Sequence, residues 1–450
     1  MPRISYEPIN YNYMFYIELL VVLAAIFVGA RIKGVGLGLM GGIGLLVLTF
    51  VFGEQPTSPP IEVMLIILSV VSAAACLQAS GGLDFLVTVA EKILRSNPKR
   101  LNYLAPLVCY VFTLVAGTGH VAYSVLPIIS ELALKTGIRP ERPLSVSVIA
   151  SQQAITASPI SAATVALLAL LAPQDITLLN ILAICIPSTL CGILVAAFVS
   201  NFVGKDLNKD EVYLEKLKDP EFVAEITKSV SEKKAIPASA KRSVWVFLAA
   251  VVMIILFGSV KSLRPSWEGE QLDMTIIIEI LMLSAAALIL IVGKVKDSSL
   301  VSKGSIFRAG MEAVIAIFGI AWMGDTFIQG NYEFMESGIQ AMVTNHAWTF
   351  AFALFLLSIL LFSQAATVRA LMPLGISLGI PAASLIAMFP SVNGYFFLPN
   401  YPTVIAAIGF DKTGTTHIGK YVLNHSFMLP GLIACSVAVV VGFLLSTIIL

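Results

Sequence analysis

Four short polar interruptions stand inside otherwise apolar stretches, and they hold most of the residues that could do chemistry. The first is Gly117-Thr118-Gly119-His120. The second runs over 151–161 and reads Ser-Gln-Gln-Ala-Ile-Thr-Ala-Ser-Pro-Ile-Ser. The third is Ser363-Gln364-Ala365-Ala366-Thr367, and the fourth is Leu398-Pro399-Asn400-Tyr401-Pro402-Thr403. The hydroxyls of Thr118, Ser151, Thr156, Ser158, Ser363, Thr367 and Thr403 are neutral donors, as are the amides of Gln152, Gln364 and Asn400. With Gly119 and His120 they form the candidate substrate-binding set. Where a helix restarts after a break, its free N–H groups carry partial positive charge, which suits a carboxylate. Any single Ser or Thr here reads equally well as a back-bond to the preceding helical turn.

Arg369 joins the set because it is the one Lys or Arg within an apolar segment away from its ends, and an intramembrane cation is a functional candidate by default. It could pair with a substrate carboxylate, snorkel, or pair with a protein acid. His120 could titrate near neutral pH or serve as a satisfied structural histidine. Asp84, Glu131, Glu279, Glu312 and Asp325 are weaker candidates for a proton relay.

The elements that must position these residues follow from composition. Of 450 residues, 58% are hydrophobic and only 12% charged, and the net charge is +1. Soluble chains carry roughly 25% charged residues, so the chain reads as an all-α polytopic membrane protein with no electrostatic footprint for nucleic acid. Continuous apolar runs argue against a β-barrel, whose strands alternate over about ten residues. Runs long enough to span a bilayer fall at 15–30, 34–52, 61–79, 143–171, 178–203, 243–260, 274–293, 306–327, 381–410 and 421–449. Two more stretches, 101–134 and 347–380, are interrupted at their centres and read as re-entrant helical hairpins.

The Lys and Arg residues test that plan. With the N-terminus outside and both hairpins non-crossing, nearly all of them fall on the cytoplasmic side. Arg3, Lys261 and Arg264 fall outside, and Arg369 stays in the membrane. Residues 1–203 then read as three spans, a hairpin (101–134) and two spans, the first of them broken (143–171). Residues 243–450 repeat the order, with the hairpin at 347–380 and the broken span at 381–410. Five crossings per half make the second half an inverted repeat of the first. Inverted repeats with broken helices are a design of secondary transporters. Residues 204–242 are the long polar segment between the halves and read as a cytoplasmic linker. Residues 83–97 and 331–345 are amphipathic and suit the membrane interface.

Other motifs are rejected. Gly36-x-Gly38-x-x-Gly41 imitates a dinucleotide fingerprint but has no βαβ context; close helix packing through Gly34, Gly38 and Gly42 is the better reading. Cys76, Cys109, Cys185, Cys191 and Cys435 lie in apolar stretches without paired spacing. There is no Walker motif, nucleophile–base set or metal-ligand cluster, so the chain is not read as an enzyme. The linker is too short for the output domain of a sensor. The N-terminus does not read as a cleaved signal.

The chain resembles the Dcu family of bacterial C4-dicarboxylate transporters along nearly its whole length. The specific blocks are Gly-Thr-Gly-His (117–120), Ile-Arg-Pro-Glu-Arg-Pro (138–143), Ile-Thr-Ala-Ser-Pro-Ile-Ser (155–161) and Gly-Ile-Ala-Trp-Met (319–323). They continue through Ser-Gln-Ala-Ala-Thr (363–367), Leu-Pro-Asn-Tyr-Pro-Thr (398–403) and Thr-Gly-Thr-Thr-His-Ile-Gly-Lys-Tyr-Val-Leu-Asn-His-Ser-Phe (413–427). The resemblance implies exchange or uptake of fumarate, succinate, malate and aspartate across a bacterial inner membrane; the distribution of Lys and Arg puts both termini on the periplasmic side. No cofactor is expected, and counter-substrate or a coupling ion such as H+ or Na+ would neutralise the charges of the dicarboxylate. The segment 363–373 looks closer to the DcuA branch than to DcuB. Asn400 stands where the family often has Thr, and Val404 replaces an acidic residue of the DcuB type, which argues against a sensor-kinase partner. The plan also resembles elevator transporters, usually homodimers, in which the hairpins with 143–171 and 381–410 would move against a scaffold of the other spans. The alternative is a Na+- or H+-coupled symporter of another small organic anion.

Overall fold

A computed structural model describes residues 11–32, 35–227, 236–332, 334, 346–361, 363–399 and 401–450. Among the described residues the regular structure is helical apart from a β-hairpin pairing Ser266–Trp267 with Glu270–Gln271 and a single bridge between Ile418 and His425. The first half contains α1 (Tyr11–Arg31), α2 (Gly36–Val47), α3 (Ile61–Ala79), α4 (Gly82–Ser96), α5 (Leu101–Ala116), α6 (Leu126–Lys135), α7 (Glu141–Gln153), α8 (Ala162–Leu171) and α9 (Leu178–Ser200). Two short helices, α10 (Glu211–Lys216) and α11 (Pro220–Thr227), follow. The second half contains α12 (Ala238–Ser259), α13 (Met274–Val292), α14 (Ser299–Lys303), α15 (Ser305–Ala316) and α16 (Trp322–Gly330). It ends with α17 (Phe350–Leu361), α18 (Gln364–Ser377), α19 (Ala382–Met388), α20 (Pro402–Phe410) and α21 (Met428–Ile449).

Among the described residues six helices are long and apolar enough to cross a membrane, or seven if the bent pair α3–α4 counts as one span. Helices covering 13–29, 38–52 and 347–359 are apolar but shorter. That bend measures 76°. It falls at Gly81, whose φ of 77° lies in the left-handed region that a side chain disfavours. Beyond it α4 is amphipathic, as its pattern predicts: Leu83, Ala90 and Leu94 are buried while Arg95 pairs with Glu91. Most of the stretch 331–345 lies outside the described residues.

The helices pack in two groups. In one, α3 runs along α13 and α15, α12 lies against α13 and α4, and α2 crosses the turn of π-helix at Ile317–Ala321. The crossing is made by backbone. A methyl group on Gly38 would overlap the Ile315 carbonyl, and one on Gly319 would overlap the Gly38 carbonyl. Gly41 also meets Gly319, whereas Gly42 has nothing within 4 Å. Close packing is therefore real but uses Gly38 and Gly41 rather than the four-residue series, and Gly34 lies outside the described residues. Trp322, from the Gly-Ile-Ala-Trp-Met block, donates its indole N–H to the Thr57 carbonyl at 2.5 Å.

In the other group, α9 and α21 lie against each other and carry α5, α7 and α19. The expected division put 178–203 and 421–449 with the scaffold; both lie against helices of the interrupted stretches. The reason is a seam of small residues: Gly192 sits under the Ala434 backbone and Gly442 against Ala387. The interrupted stretches form two-helix units. Phe350 at the start of α17 packs on Gly375 near the end of α18. Arg95, in the last turn of α4, reaches Glu131 on α6 at 3.5 Å and ties the amphipathic helix to the first unit. All five cysteines are free thiols, and Cys191 alone of them is exposed.

The linker is docked. Arg139, buried in the α6–α7 corner, donates to Glu141 and to Asp210 of the linker, each at 2.6 Å. Burial alone would lower the Arg139 pKa, but those two carboxylates raise it above its ordinary value. Arg142 donates to the carbonyls of Val203 and Gly204. Across the fold, Ser426 donates to Glu141 at 2.6 Å and Lys216 to the Thr413 carbonyl at 2.9 Å. The segment read as a plain polar linker thus ties the corner before α7 to the loop after α20.

Candidate functional site

Each break has a local cause. After α7 the chain makes one 3-10 turn and reaches Ser158, extended at ψ 129°. Pro159 follows, and a residue before proline is driven out of the helical region. Ser161 restarts the helix: its Oγ accepts from Thr164 N at 3.1 Å and donates to the Ile155 carbonyl at 2.6 Å. In the fourth break Tyr401 is extended at ψ 140° before Pro402, which opens α20. Ser363 caps α18, accepting from Ala366 N at 3.2 Å. Such a cap is worth about 1 kcal/mol. At the first tip α5 ends on Gly117, with φ 69°, where a side chain would also strike Ile160.

All four breaks line one cavity of about 140 Å³. Its polar side is made by Gly117, Thr118 and Gly119, by Gln152, by Ser363 and Gln364, and by Tyr401. Ala162 and Ala163, the first residues of α8, and Ala365 in the first turn of α18 complete that side. The first N–H groups of a helix have no partner within it, so these N-termini bring partial positive charge to the cavity. The opposite wall comes from the other helix group: Ile66, Ile67, Val70 and Val71 of α3, with Gly310, Ala316 and Ile317. The cavity lies between the two groups. Among the described residues no Asp, Glu, Lys or Arg lines it.

A chain of amides holds the polar side together. Gln364 Nε2 donates to Gln152 Oε1 at 3.1 Å and to Asn393 Oδ1 at 3.2 Å. Asn393 Nδ2 donates to Gln153 Oε1 at 3.2 Å, and Gln153 Nε2 to Cys435 Sγ at 3.1 Å. All four amide side chains are buried. A methyl group on Gly119 would overlap the Gln152 amide, so Gly119 sets how closely the first tip approaches it. Sequence reasoning did not select Gln153, Asn393 or Tyr401. Gln153 adjoins a chosen glutamine and Tyr401 lies inside the fourth interruption, but Asn393 is a lone amide in an apolar run.

The remaining candidates divide. Thr118, Gly119, Gln152, Ser363 and Gln364 reach the cavity. Ser151, Thr156 and Thr367 make back-bonds to Val148, Gln153 and Ser363 carbonyls at 2.8 Å each. Ser158 donates to the Leu114 carbonyl at 2.7 Å, tying the second break to the end of α5. Thr403 Oγ1 is buried with no hydrogen-bond partner. Arg369 is not a cavity residue. It faces Glu62 at 3.9 Å across the boundary between the helix groups, with its side chain 33% exposed. Asn400 and the side chain of His120 lie outside the described residues. Among the described residues no group of three or more His, Cys, Asp and Glu could hold a metal ion.

A helical membrane protein whose interrupted helices meet at a small cavity has the build of a transporter, and known proteins agree. The model of the anaerobic C4-dicarboxylate membrane transporter family matches residues 14–450, and the chain belongs to that family. It is 45% identical to the anaerobic C4-dicarboxylate transporter DcuB of Escherichia coli O6:H1, over 96% of this chain and 98% of that one. It is 43% identical to the C4-dicarboxylate transporter DcuA of Wolinella succinogenes, over 97% and 100%. Its relatives are membrane transporters rather than enzymes. Overall identity barely separates the two branches, so it does not single out the DcuA type that 363–373 resembles. Among solved structures, the YdaH transporter of Alcanivorax borkumensis shares the fold with a TM-score of 0.52 at 14% identity, covering 97% of each chain. MtrF of Neisseria gonorrhoeae does so at 0.50 and 12%, over 100% of this chain and 96% of that one.

Proposed function

We propose that the chain exchanges or takes up C4-dicarboxylates at the cavity, carried by an elevator motion of the hairpin group. The observation that carries this reading is the meeting of the α8, α18 and α20 starts around one cavity bridged by Gln152 and Gln364. Two carboxylates need two sets of donors, and these breaks supply them from opposite ends of the sequence. The cavity is smaller than the roughly 300–1,000 Å³ typical of drug-sized ligands, in keeping with a small metabolite. The elevator reading rests on the cavity lying between two helix groups. The inverted-repeat reading rests on two two-helix units and two helices broken at prolines, in matching order.

The orientation proposed is that of an inner-membrane protein with both termini periplasmic, supported by the distribution of Lys and Arg. Assembly as a homodimer and coupling to H+ or Na+ complete the proposal by analogy with elevator transporters. The test is uptake of labelled fumarate or succinate into proteoliposomes, with and without internal dicarboxylate. Uptake accelerated by internal dicarboxylate is expected. Absence of both uptake and trans-stimulation overturns the reading.

A further inference from the structure

We propose that a second site, at the end of α9, holds the phosphate headgroup of an anionic phospholipid. The site is an open cleft of about 580 Å³ lined by Arg142, Lys205 and Lys209, with Asp206, Asn201 and Phe202. It shares no lining residue with the cavity between the helix groups. The turn that leaves α9 builds it. Gly204 is left-handed at φ 65°, and a side chain there would strike the Arg139 guanidinium. Arg142 donates to the Val203 and Gly204 carbonyls of this turn and to Asp206. Those bonds use three of the five N–H groups of a guanidinium and fix it in the wall of the cleft, with its side chain 12% exposed.

The cleft carries more positive than negative charge. Its one acid, Asp206, already lies 3.0 Å from Arg142 and 4.0 Å from Lys209. Lys205 pairs with Glu211 at 3.0 Å, but both side chains are exposed. Exposed pairs hold weakly, so both lysines are free to turn toward a phosphate.

The neighbouring surface identifies the phosphate as a lipid's. The helix α9 is long and apolar enough to cross a membrane. Its outer face exposes Leu194, Phe198 and, just past its end, Phe202, the last at 74%. The spacing of four keeps them on one side, and the two rings meet edge to face at 5.4 Å. Phe202 closes this apolar strip and also lines the cleft. A molecule seated there meets hydrocarbon along α9 and cations at its end, which is the outline of an acyl chain and its phosphate. Basic pockets beside transmembrane helices hold anionic headgroups. Phosphatidylcholine would bring a further cation to the bases.

The experiment is the melting temperature of the delipidated full chain in detergent, titrated with dioleoylphosphatidylglycerol, dioleoylphosphatidylcholine or glycerol 3-phosphate. Phosphatidylglycerol should raise it at lower concentration than phosphatidylcholine, and glycerol 3-phosphate should leave it unchanged. Lys205→Gln with Lys209→Gln should need about tenfold or more phosphatidylglycerol for the same rise, as loss of two bases near an anionic lipid predicts. Without lipid that variant should melt as wild type does, since both lysines are exposed. Lys294→Gln with Lys296→Gln removes the same charge from an exposed stretch elsewhere and should respond as wild type does. Equal responses to the two lipids overturn the proposal, as does an unchanged response in the Lys205 and Lys209 variant or an equal loss in the Lys294 and Lys296 variant. Stabilisation by glycerol 3-phosphate matching that by phosphatidylglycerol overturns it too, in favour of a soluble anion.

Discussion

Gln364 Nε2 lies 3.1 Å from Gln152 Oε1, joining two residues 212 positions apart at the centre of the molecule. Because Gln364 also reaches Asn393, one amide ties the start of α18 to both broken helices. Gln364→Ala should raise the KM for dicarboxylate about tenfold, in line with loss of a buried hydrogen-bonding group, and Thr118→Ala should weaken binding in the same direction. Initial rates of uptake check this. Wild-type KM in both variants would remove the tips from the site.

Arg369 gives the opposite expectation. A cation that clasps substrate cannot be neutralised without a large loss of affinity. Arg369 instead faces Glu62 at 3.9 Å, and both side chains are partly or largely exposed. Such a pair is worth about 0–1 kcal/mol. Arg369→Gln should therefore leave KM within about threefold of wild type, a change of the size an exposed pair can cause. A KM raised a hundredfold would return Arg369 to the substrate.

The docked linker predicts a difference between two ion pairs. Arg139 is buried between Glu141 and Asp210. Asp210→Asn leaves the buried Arg139 guanidinium with Glu141 as its one charged partner, and weakening a buried ion pair is destabilising, so the variant should lower the melting temperature of the detergent-solubilised protein. Lys205 and Glu211 pair at 3.0 Å but are both exposed. Lys205→Ala should shift melting very little. Equal effects would mean that the linker is not seated on the α6–α7 corner.

The crossing of α2 with the π turn separates neighbouring glycines. Gly38→Ala must push the Ile315 backbone away, and Gly319→Ala the Gly38 backbone. Gly42→Ala meets nothing within 4 Å. Yield of folded protein in size-exclusion chromatography should fall for the first two and hold for the third. Loss at Gly42 alone would restore the four-residue spacing read from the sequence.

These cases show what sequence makes legible. The breaks were visible because proline and serine act locally: Pro159 and Pro402 force extended residues before them, and Ser161 and Ser363 cap the helices that follow. Arg369 was conspicuous for its charge, but its partner depends on packing between distant helices. Asn393 was hidden because a single amide in an apolar run has no periodic signature. The grouping of α9 with α21 was hidden for a related reason, since Gly192 and Ala434 meet only in three dimensions. The charges of 204–216 looked solvated because their partners stand far away in sequence: Arg139 is 71 positions from Asp210, and Lys216 is 197 from the Thr413 carbonyl.

The docked linker also bears on the order in which a ribosome delivers the chain. Arg139 and Asp210 can pair as soon as the first half and the start of the linker have emerged. Glu141 must wait for Ser426, and Lys216 for Thr413, both near the end of synthesis. The early half therefore presents a prepared berth, one that stays incomplete until the last loop arrives. Completion of this corner is thereby tied to completion of the polypeptide.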